Sequence, residues 1–437
     1  MLVTWLGHAQ LFLNAANRTL LLDPWFHEPV FGGAWFRYPP PPYANSSTLP
    51  RPDFLLLSHT HPDHSSRETL AQISRDTQVV VPAFHTMRKR LAGTHFTKVT
   101  WLEPYQTVEL SPGLKVTYVA HDRGWEVASM VVEADGVRLY HGNDNPLSLD
   151  AYKELARRLG PIDLAFLPFA GASSYPTCFD GDAATLSRRC AEKKAEGLSR
   201  FAEGLEGLRP KEAAPFASSW ALLEPGELEK NFLDRLTPAE TLRAAAPLAA
   251  KLGTHLLHLE PGDEWSPATG VLQKRLSEGY GYDVESVARY AKQEAARVSA
   301  AIAAARVPGR PVSDAQLDGA FRGWFETALA QTREPIGELK MIAGFVTEGL
   351  SWRLVFEPGR APAIEANVRG DEDETLTVDR GELWHVLTGP ANWEDVWYGY
   401  RLRVKKRNDT YYRHFWEMLL NYDAEELSKS LAARFAT

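Results

Sequence analysis

Apolar residues in the first part of this chain fall into short runs at strand spacing. Leu2–Leu6, Leu11–Leu13 and Thr19–Asp23 read as strands, and Phe54-Leu55-Leu56-Leu57 reads as a buried one. A short continuous apolar run bounded by turn residues fits a strand covered on both faces. Further strands are expected at Gln78–Pro82, Leu114–Ala120, Val137–Tyr140 and Leu164–Pro168, with a short helix over Arg67–Ile73. Residues 183–208 carry a helical period with a charged, solvated face. The stretch from Trp25 to residue 50 keeps neither period. It holds Trp25, Phe26, Phe31, Trp35, Phe36 and Tyr38, then Pro39 to Pro42, and no regular element accommodates four consecutive prolines. A long loop is expected there, either walling a pocket or lying over an aromatic satellite core. Residues 233–345 are helix-rich, most clearly over Val284–Ala305. Strands then return at Ser351–Phe356, Ala363–Val368, Thr375–Val378 and Tyr398–Val404.

The chemistry-bearing stretch follows the buried apolar run directly. Ser58-His59-Thr60-His61-Pro62-Asp63-His64 packs three imidazoles and a carboxylate into one loop. In extended backbone, residues i and i+2 share a face, so His59 and His61 can close on one metal ion. The chain turns at Pro62, which frees Asp63 and His64 to face a second ion. A lone histidine is more often structural than a ligand, but four nitrogen and oxygen donors at this spacing reverse that expectation. His255 and His258, in an apolar context, read as core or surface residues.

Length and composition narrow the class. A chain of 437 residues is too long for one ordinary domain, and a division into 1–260 and 261–437 is expected. A hydrophobic fraction of 44% with 24% charged residues is that of a soluble globular protein. The net charge of −8 argues against a nucleic-acid binder. Two cysteines, Cys178 and Cys190, give no disulfide framework and fit a cytoplasmic setting. Neither a signal peptide nor a membrane span is visible in the sequence.

The pattern His-x-His-x-Asp-His resembles the signature of the metallo-β-lactamase fold superfamily. Trp5-Leu6-Gly7-His8-Ala9 and Leu22-Asp23-Pro24-Trp25 resemble the opening of one of its branches. That branch holds lactonase-like proteins, N-acylethanolamine phospholipases and CMP-N-acetylneuraminate hydroxylases. The resemblance implies an α/β fold, an αββα sandwich with a dinuclear site at one edge. It implies His121, at the end of a strand, as the next ligand of the first ion. It also implies Asp144, in His141-Gly142-Asn143-Asp144-Asn145, as the carboxylate bridging the two. The alternative for Asp144 is a cap on the following turn or helix. His141 is expected to be structural or to stand behind the ligands, and His8 either stands near the metals or is satisfied within its turn.

The segment 171–179, Pro215-Phe216-Ala217, Trp397–Leu402 and Tyr411–Trp416 resemble CMP-N-acetylneuraminate hydroxylases in particular, strongly over 1–232 and weakly over 250–380. On that likeness His8, Trp25, Trp35 and Tyr175 would contact substrate or back the ligands. Two departures stand out. Those hydroxylases carry an N-terminal Rieske domain, whereas this chain starts at the first strand and has no Cys-x-His pairs from which to build such a cluster. Where the family places its last histidine, this chain has Glu224. With Glu224 ligating, the second ion would sit among Asp63, His64, Asp144 and Glu224, an oxygen-rich set that suits iron better than zinc.

The C-terminal strands and the Gly389-terminated stretch weakly resemble the small α+β module of sterol-carrier-type domains, which would cover the site or mediate homodimerisation. The functional expectation is a non-heme diiron monooxygenase hydroxylating an organic substrate, hydrophobic or natural-product-like, with O2 and an external electron donor. Asp63 and Asp144 are its expected catalytic carboxylates. The alternative is a dizinc hydrolase of ester, lactone or phosphodiester bonds, and a metal-stabilised binding protein is the third reading.

Overall fold

The computed structural model describes the chain apart from residues 44, 275–278, 307–310, 332–335, 390 and 421–437. The chain divides into two compact units. The first comprises Met1–Val30, Trp35–Ala172 and Cys190–Val298, and the second Phe31–Ala34, Ser173–Arg189 and Ser299–Thr437. No helix of the described residues is long and apolar enough to cross a membrane.

In the first unit the early apolar runs become β1 (Leu2–Gly7), β2 (Gln10–Ala15) and β3 (Arg18–Leu22), an antiparallel meander. After β4 (Trp35–Arg37) come β5 (Phe54–Leu56), β6 (Gln78–Pro82) and β7 (Val99–Leu102), each parallel to its predecessor in the sheet. The second sheet is built from β8 (Thr107–Ser111), β9 (Leu114–Ala120), β10 (Ala128–Ala134), β11 (Val137–His141), β12 (Leu164–Pro168) and β13 (Glu212–Phe216). Then follow β14 (Trp220–Leu222), β15 (His255–Leu256), β16 (Glu264–Ser266) and β17 (Gly270–Leu272). The sheet orders are β17-β16-β1-β2-β3-β5-β6-β7 and β15-β13-β12-β11-β10-β9-β8.

Alternation of side chains along each strand sorts them into layers. Leu11, Leu13, Leu20, Leu22 and Val80 of one sheet meet Val116, Met130, Val132 and Leu139 of the other in a shared core. The opposite faces take helices. Leu55, Val79 and Val81 pack with Leu70 and Met87, while Val131, Tyr140 and Ala165 pack with Tyr152, Phe201, Leu205 and Ala245. The result is the expected αββα sandwich.

Several boundaries differ from the sequence reading for identifiable reasons. The first unit runs past residue 260 because β16 pairs with β1. The proline-rich loop contains β4, which pairs with β14 and stacks Trp35 on Trp220 at 3.7 Å. The run Val284–Ala305 breaks at Glu294 into two helices, Val284–Gln293 and Ala295–Ala305. The expected strand Tyr398–Val404 is instead the helix Trp393–Tyr398 followed by β22 (Leu402–Lys406). A capping box between Asn392 and Asp395 starts that helix where the apolar pattern alone does not distinguish helix from strand.

The second unit is α+β. Its sheet, ordered β20-β19-β18-β21-β22, contains β18 (Met341–Thr347), β19 (Leu350–Phe356), β20 (Ala363–Ala366) and β21 (Glu374–Val378). Aromatic side chains fill its core, with Phe321 stacked on Trp352 at 4.3 Å and Trp324, Phe345 and Trp393 around them. Asp379 caps the helix Arg380–Thr388, which ends at Gly389 with φ +72°.

Gly142, the first residue after β11, has no room for a side chain. A Cβ there would lie 2.6 Å from the Phe166 carbonyl oxygen and 2.9 Å from Pro168. Gly142→Ala is therefore expected to cost about 1–3 kcal/mol, the usual penalty for overpacking. A thermal melt read by circular dichroism checks this, and an unchanged midpoint would refute the close packing of β11 on β12.

Candidate metal centre

The site begins where two neighbouring strands end. β3 lies parallel to β5 with Leu22 level with Leu56, so Asp23 emerges beside the loop that carries the histidines. Asp23 takes φ +41° and donates its amide to the Leu56 carbonyl at 3.0 Å. Its carboxylate then accepts from the Ser58 amide at 2.8 Å, the Ser58 hydroxyl at 2.6 Å and His64 Nδ1 at 3.2 Å. With its proton committed to Asp23, the Ser58 oxygen accepts from His59 Nδ1 at 2.9 Å. Both imidazoles therefore carry their proton on Nδ1 and leave Nε2 as a lone-pair donor, the arrangement that carboxylate-anchored metal histidines use.

Pro62 opens the one-turn helix Pro62–Ser65, and this turn separates the donors into two groups. In one, His59, His61 and Asp144 place ligand atoms within 4.8 Å of one another, with His59 Nε2 at 3.0 Å from His61 Nδ1. In the other, His8, His64 and Asp144 do the same. Asp144 belongs to both, its Oδ2 at 3.4 Å from His64 Nε2 and 4.0 Å from His59 Nε2. The loop after β11 holds it there. Asn143 donates to the Ala128 carbonyl at 2.7 Å and Asn145 to the Val119 carbonyl at 3.0 Å, which ties the loop over the ends of β9 and β10. The following helix is capped by Ser148, so Asp144 is not its cap.

Asp63 lies beside the second group, with Oδ2 at 2.9 Å from His8 Nε2 and 3.5 Å from His64 Nε2. Asp63 Oδ1 and His64 Nε2 are buried without a hydrogen-bond partner. Buried lone-pair atoms without a donor, converging with carboxylates, are what a cation would satisfy.

The electrostatics agree. Burial opposes charge on Asp63, yet His64 and the hydrogen bond from His8 outweigh it and hold the carboxyl below its usual range. Asp144 is likewise held low by His64 and His59 against the effect of burial. Burial, then the neighbouring His64 and His61, push His59 well below the ordinary histidine value, so it stays neutral with its lone pair available. His64 goes the other way: burial disfavours its charge, but Asp63 and Asp144 favour it more strongly. A ring that attracts a proton between two carboxylates marks a place where positive charge is favoured.

The other expected residues lie outside these two groups. His121 follows β9, with Nδ1 accepting from the Arg123 amide at 3.0 Å and its ring stacked on the half-exposed Trp125 at 4.6 Å. Glu224 is half-buried just after β14, where its carbonyl accepts from the Glu227 amide. His141 is buried, donating Nε2–H to the Ala9 carbonyl at 2.8 Å. Trp25 is fully buried and meets His8 edge-on at 5.2 Å. Trp35 is buried in its stack on Trp220, and Tyr175 belongs to the second unit, where its ring meets Phe179 at 4.9 Å.

Phe26, next after Trp25, lines a cavity of about 370 Å³ together with Pro40, Pro41 and Tyr290, where Glu28 sits between Arg37 and Arg297. The sequence reading missed Asp23 and Ser58 as the groups that orient the ligands. The available signal was a carboxylate ending the strand next to the one that carries the histidine loop.

Residues 18–194 match the model of the β-lactamase superfamily domain. A protein of Mycobacterium tuberculosis named as a Rieske 2Fe-2S iron–sulfur protein is 29% identical over 236 residues, covering 52% of this chain and 45% of the relative. The cytidine monophosphate-N-acetylneuraminic acid hydroxylase of Danio rerio is 25% identical over 252 residues, covering 52% and 39%. The match thus spans less than half the length of either relative. Among solved structures, CmlA, a diiron β-hydroxylase from Streptomyces venezuelae, aligns at TM-score 0.41 with 18% identity, over 62% of this chain and 54% of that one. A metallo hydrolase from Ignicoccus hospitalis aligns at TM-score 0.40 with 18% identity, over 60% of this chain and 96% of that one. Over residues 18–194 this chain is thus similar to the β-lactamase superfamily domain, and its αββα sandwich is the metallo-β-lactamase fold.

Proposed function

We propose that this protein is a non-heme diiron monooxygenase that hydroxylates an organic substrate with O2 and an external electron donor. The observation that carries this reading is the position of Asp144, one carboxylate within reach of both donor groups. A carboxylate has two oxygens with which to bridge, and oxygen donors suit iron. The match to enzymes named as hydroxylases over half the chain supports the same direction. On this reading His59, His61 and His121 hold one ion, Asp63, His64 and Glu224 the other, and Asp144 joins them. Two iron ions held there would supply the redox chemistry of O2 activation.

The chain's own residues do the rest. Asp23 and Ser58 hold His59 and His64 in the ligating tautomer. Buried Trp25 closes the side behind His8 against water. Asp63 and Asp144 stay ionised despite burial and balance the positive charge of the ions. A second reading, a dizinc hydrolase that lowers the pKa of a bound water, draws on one observation. The His59–His61 pair is imidazole-rich, and zinc binds neutral imidazole well.

Elemental analysis of protein purified without added metal is expected to find about two irons per chain, with O2 uptake only when reductant is present. About two zincs, with anaerobic turnover of lactone or phosphodiester probes, would replace this reading with the hydrolase.

Asp144→Asn keeps the shape but removes the shared charge. It is expected to leave less than one ion per chain on dialysis and to lower turnover by at least ~100-fold, beyond the 10- to 100-fold typical of losing an orienting partner. Asp23→Asn is expected to weaken metal affinity by about 10- to 100-fold with an unchanged circular dichroism spectrum. Wild-type affinity in Asp23→Asn would remove it from the site.

A further inference from the structure

The turn that carries His8 is built with more care than a connection between two strands requires. Gly7 takes φ +110° and His8 φ +49°, a left-handed conformation that a non-glycine residue rarely adopts. Two side chains hold the turn in place. Trp5 donates its indole N–H to the His8 carbonyl at 2.9 Å, and His141 donates Nε2–H to the Ala9 carbonyl at 2.8 Å. The ring is buried, with Trp25 and His64 each meeting it edge-on at just over 5 Å. Unusual backbone held in this way at a site is kept when the side chain it aims has work to do.

That side chain points Nε2 at Asp63 Oδ2, 2.9 Å away. An ionised carboxylate only accepts, so the proton of this contact is on His8. The arrangement differs from that of His59 and His64, whose Nδ1 atoms are anchored on Ser58 and Asp23. Nδ1 of His8 is buried with no partner. A metal-ligating imidazole ordinarily anchors its remote nitrogen, and His8 does not. Meanwhile Asp63 Oδ1 is buried and accepts from nothing.

We propose that His8 is a positioning residue: it donates Nε2–H to Oδ2 of Asp63, fixes the rotation of that carboxylate, and so presents Oδ1 to the second ion. This rests on the dinuclear reading above, but not on the identity of the metal. It accounts for Oδ1 having no partner and for a strained histidine behind the ligands. It also gives Asp63 a single ligating oxygen rather than two equivalent ones.

Co(II) titration of the apo-protein, followed by calorimetry and visible absorption, tests this without any turnover. Wild type is expected to take two Co(II) per chain. His8→Phe, which keeps a ring beside Trp25 and His64 but has no donor, is expected to bind the second ion about 10- to 100-fold more weakly while the first is little changed. His8→Ala should behave the same way if the effect is the lost donor rather than the added ring. His8→Gln, whose amide reaches about as far as Nε2 and donates from there, is expected to restore the second ion to within about threefold of wild type. Far-UV circular dichroism of each apo variant confirms that the fold is intact.

Wild-type affinity for both ions in His8→Phe and His8→Ala would overturn the proposal. Loss of the second ion in His8→Gln as severe as in His8→Ala would also overturn it, since His8 would then be a ligand. A wild type that binds fewer than two Co(II) would overturn the dinuclear reading itself, before any variant is compared.

Discussion

The carboxylate of Asp23 accepts from the Ser58 amide, the Ser58 hydroxyl and His64 Nδ1 at once, and this one group ties strand β3 to the histidine loop after β5. Around it, Asp63, His8, His59 and His64 are buried together, with the partly exposed Asp144 beside them. Burying unpaired carboxylates costs several kcal/mol each. Here the cost is met in part by hydrogen bonds and in part by the positive charge the cluster attracts, whether a proton on His64 or a metal ion. The site is thus a charge-balance problem before it is a catalytic one, and every loop around it is tied down accordingly.

The sandwich explains why these groups meet. Parallel pairing of β3 with β5 brings Asp23 level with the motif. Antiparallel pairing of β9, β10 and β11 brings the His121 and Asp144 loops to the same end of the second sheet. Asn143 and Asn145 lock the second of these loops across strand ends. The β1–β2 turn enters from a third direction and carries His8 to Asp63, which lies fifty-five positions later in the chain. Imidazoles and carboxylates from separated segments converge because each lies just beyond the end of a strand, where backbone is freed from the ladder but still held by its neighbours.

The second unit follows a different logic. Its mixed sheet and helices close on a core dominated by tryptophan and phenylalanine, with Trp324, Trp352 and Trp393 all buried. Part of that core comes from the insertion Ser173–Arg189, whose Phe179 forms a bridge with Val404 and packs against Trp397. The high tryptophan content of the chain is thus spent largely on packing. Trp35 follows the same pattern in the first unit, buried in a stack rather than facing a pocket.

Strands β6, β9 and β12 and the helix Ala183–Leu208 were legible from local pattern to the residue, because long or uniformly apolar runs leave little choice of period. The histidine loop stood out because four ligand-type side chains at strand-then-turn spacing have few other uses. What local pattern could not show was anything that depends on a partner far along the chain. The short strands β14 to β17 exist through pairing rather than propensity. The strand expected from Tyr398 begins only at Leu402, because the helix that the Asn392–Asp395 capping box starts runs through Tyr398. His8, Asp23 and Ser58 show the division most plainly. The sequence determined that imidazoles and carboxylates were available and which of them came as a group. Only the tertiary structure decided which nitrogen carries a proton and which carboxylate stands between the two groups, because those depend on hydrogen bonds between strand ends that the chain brings together only when folded.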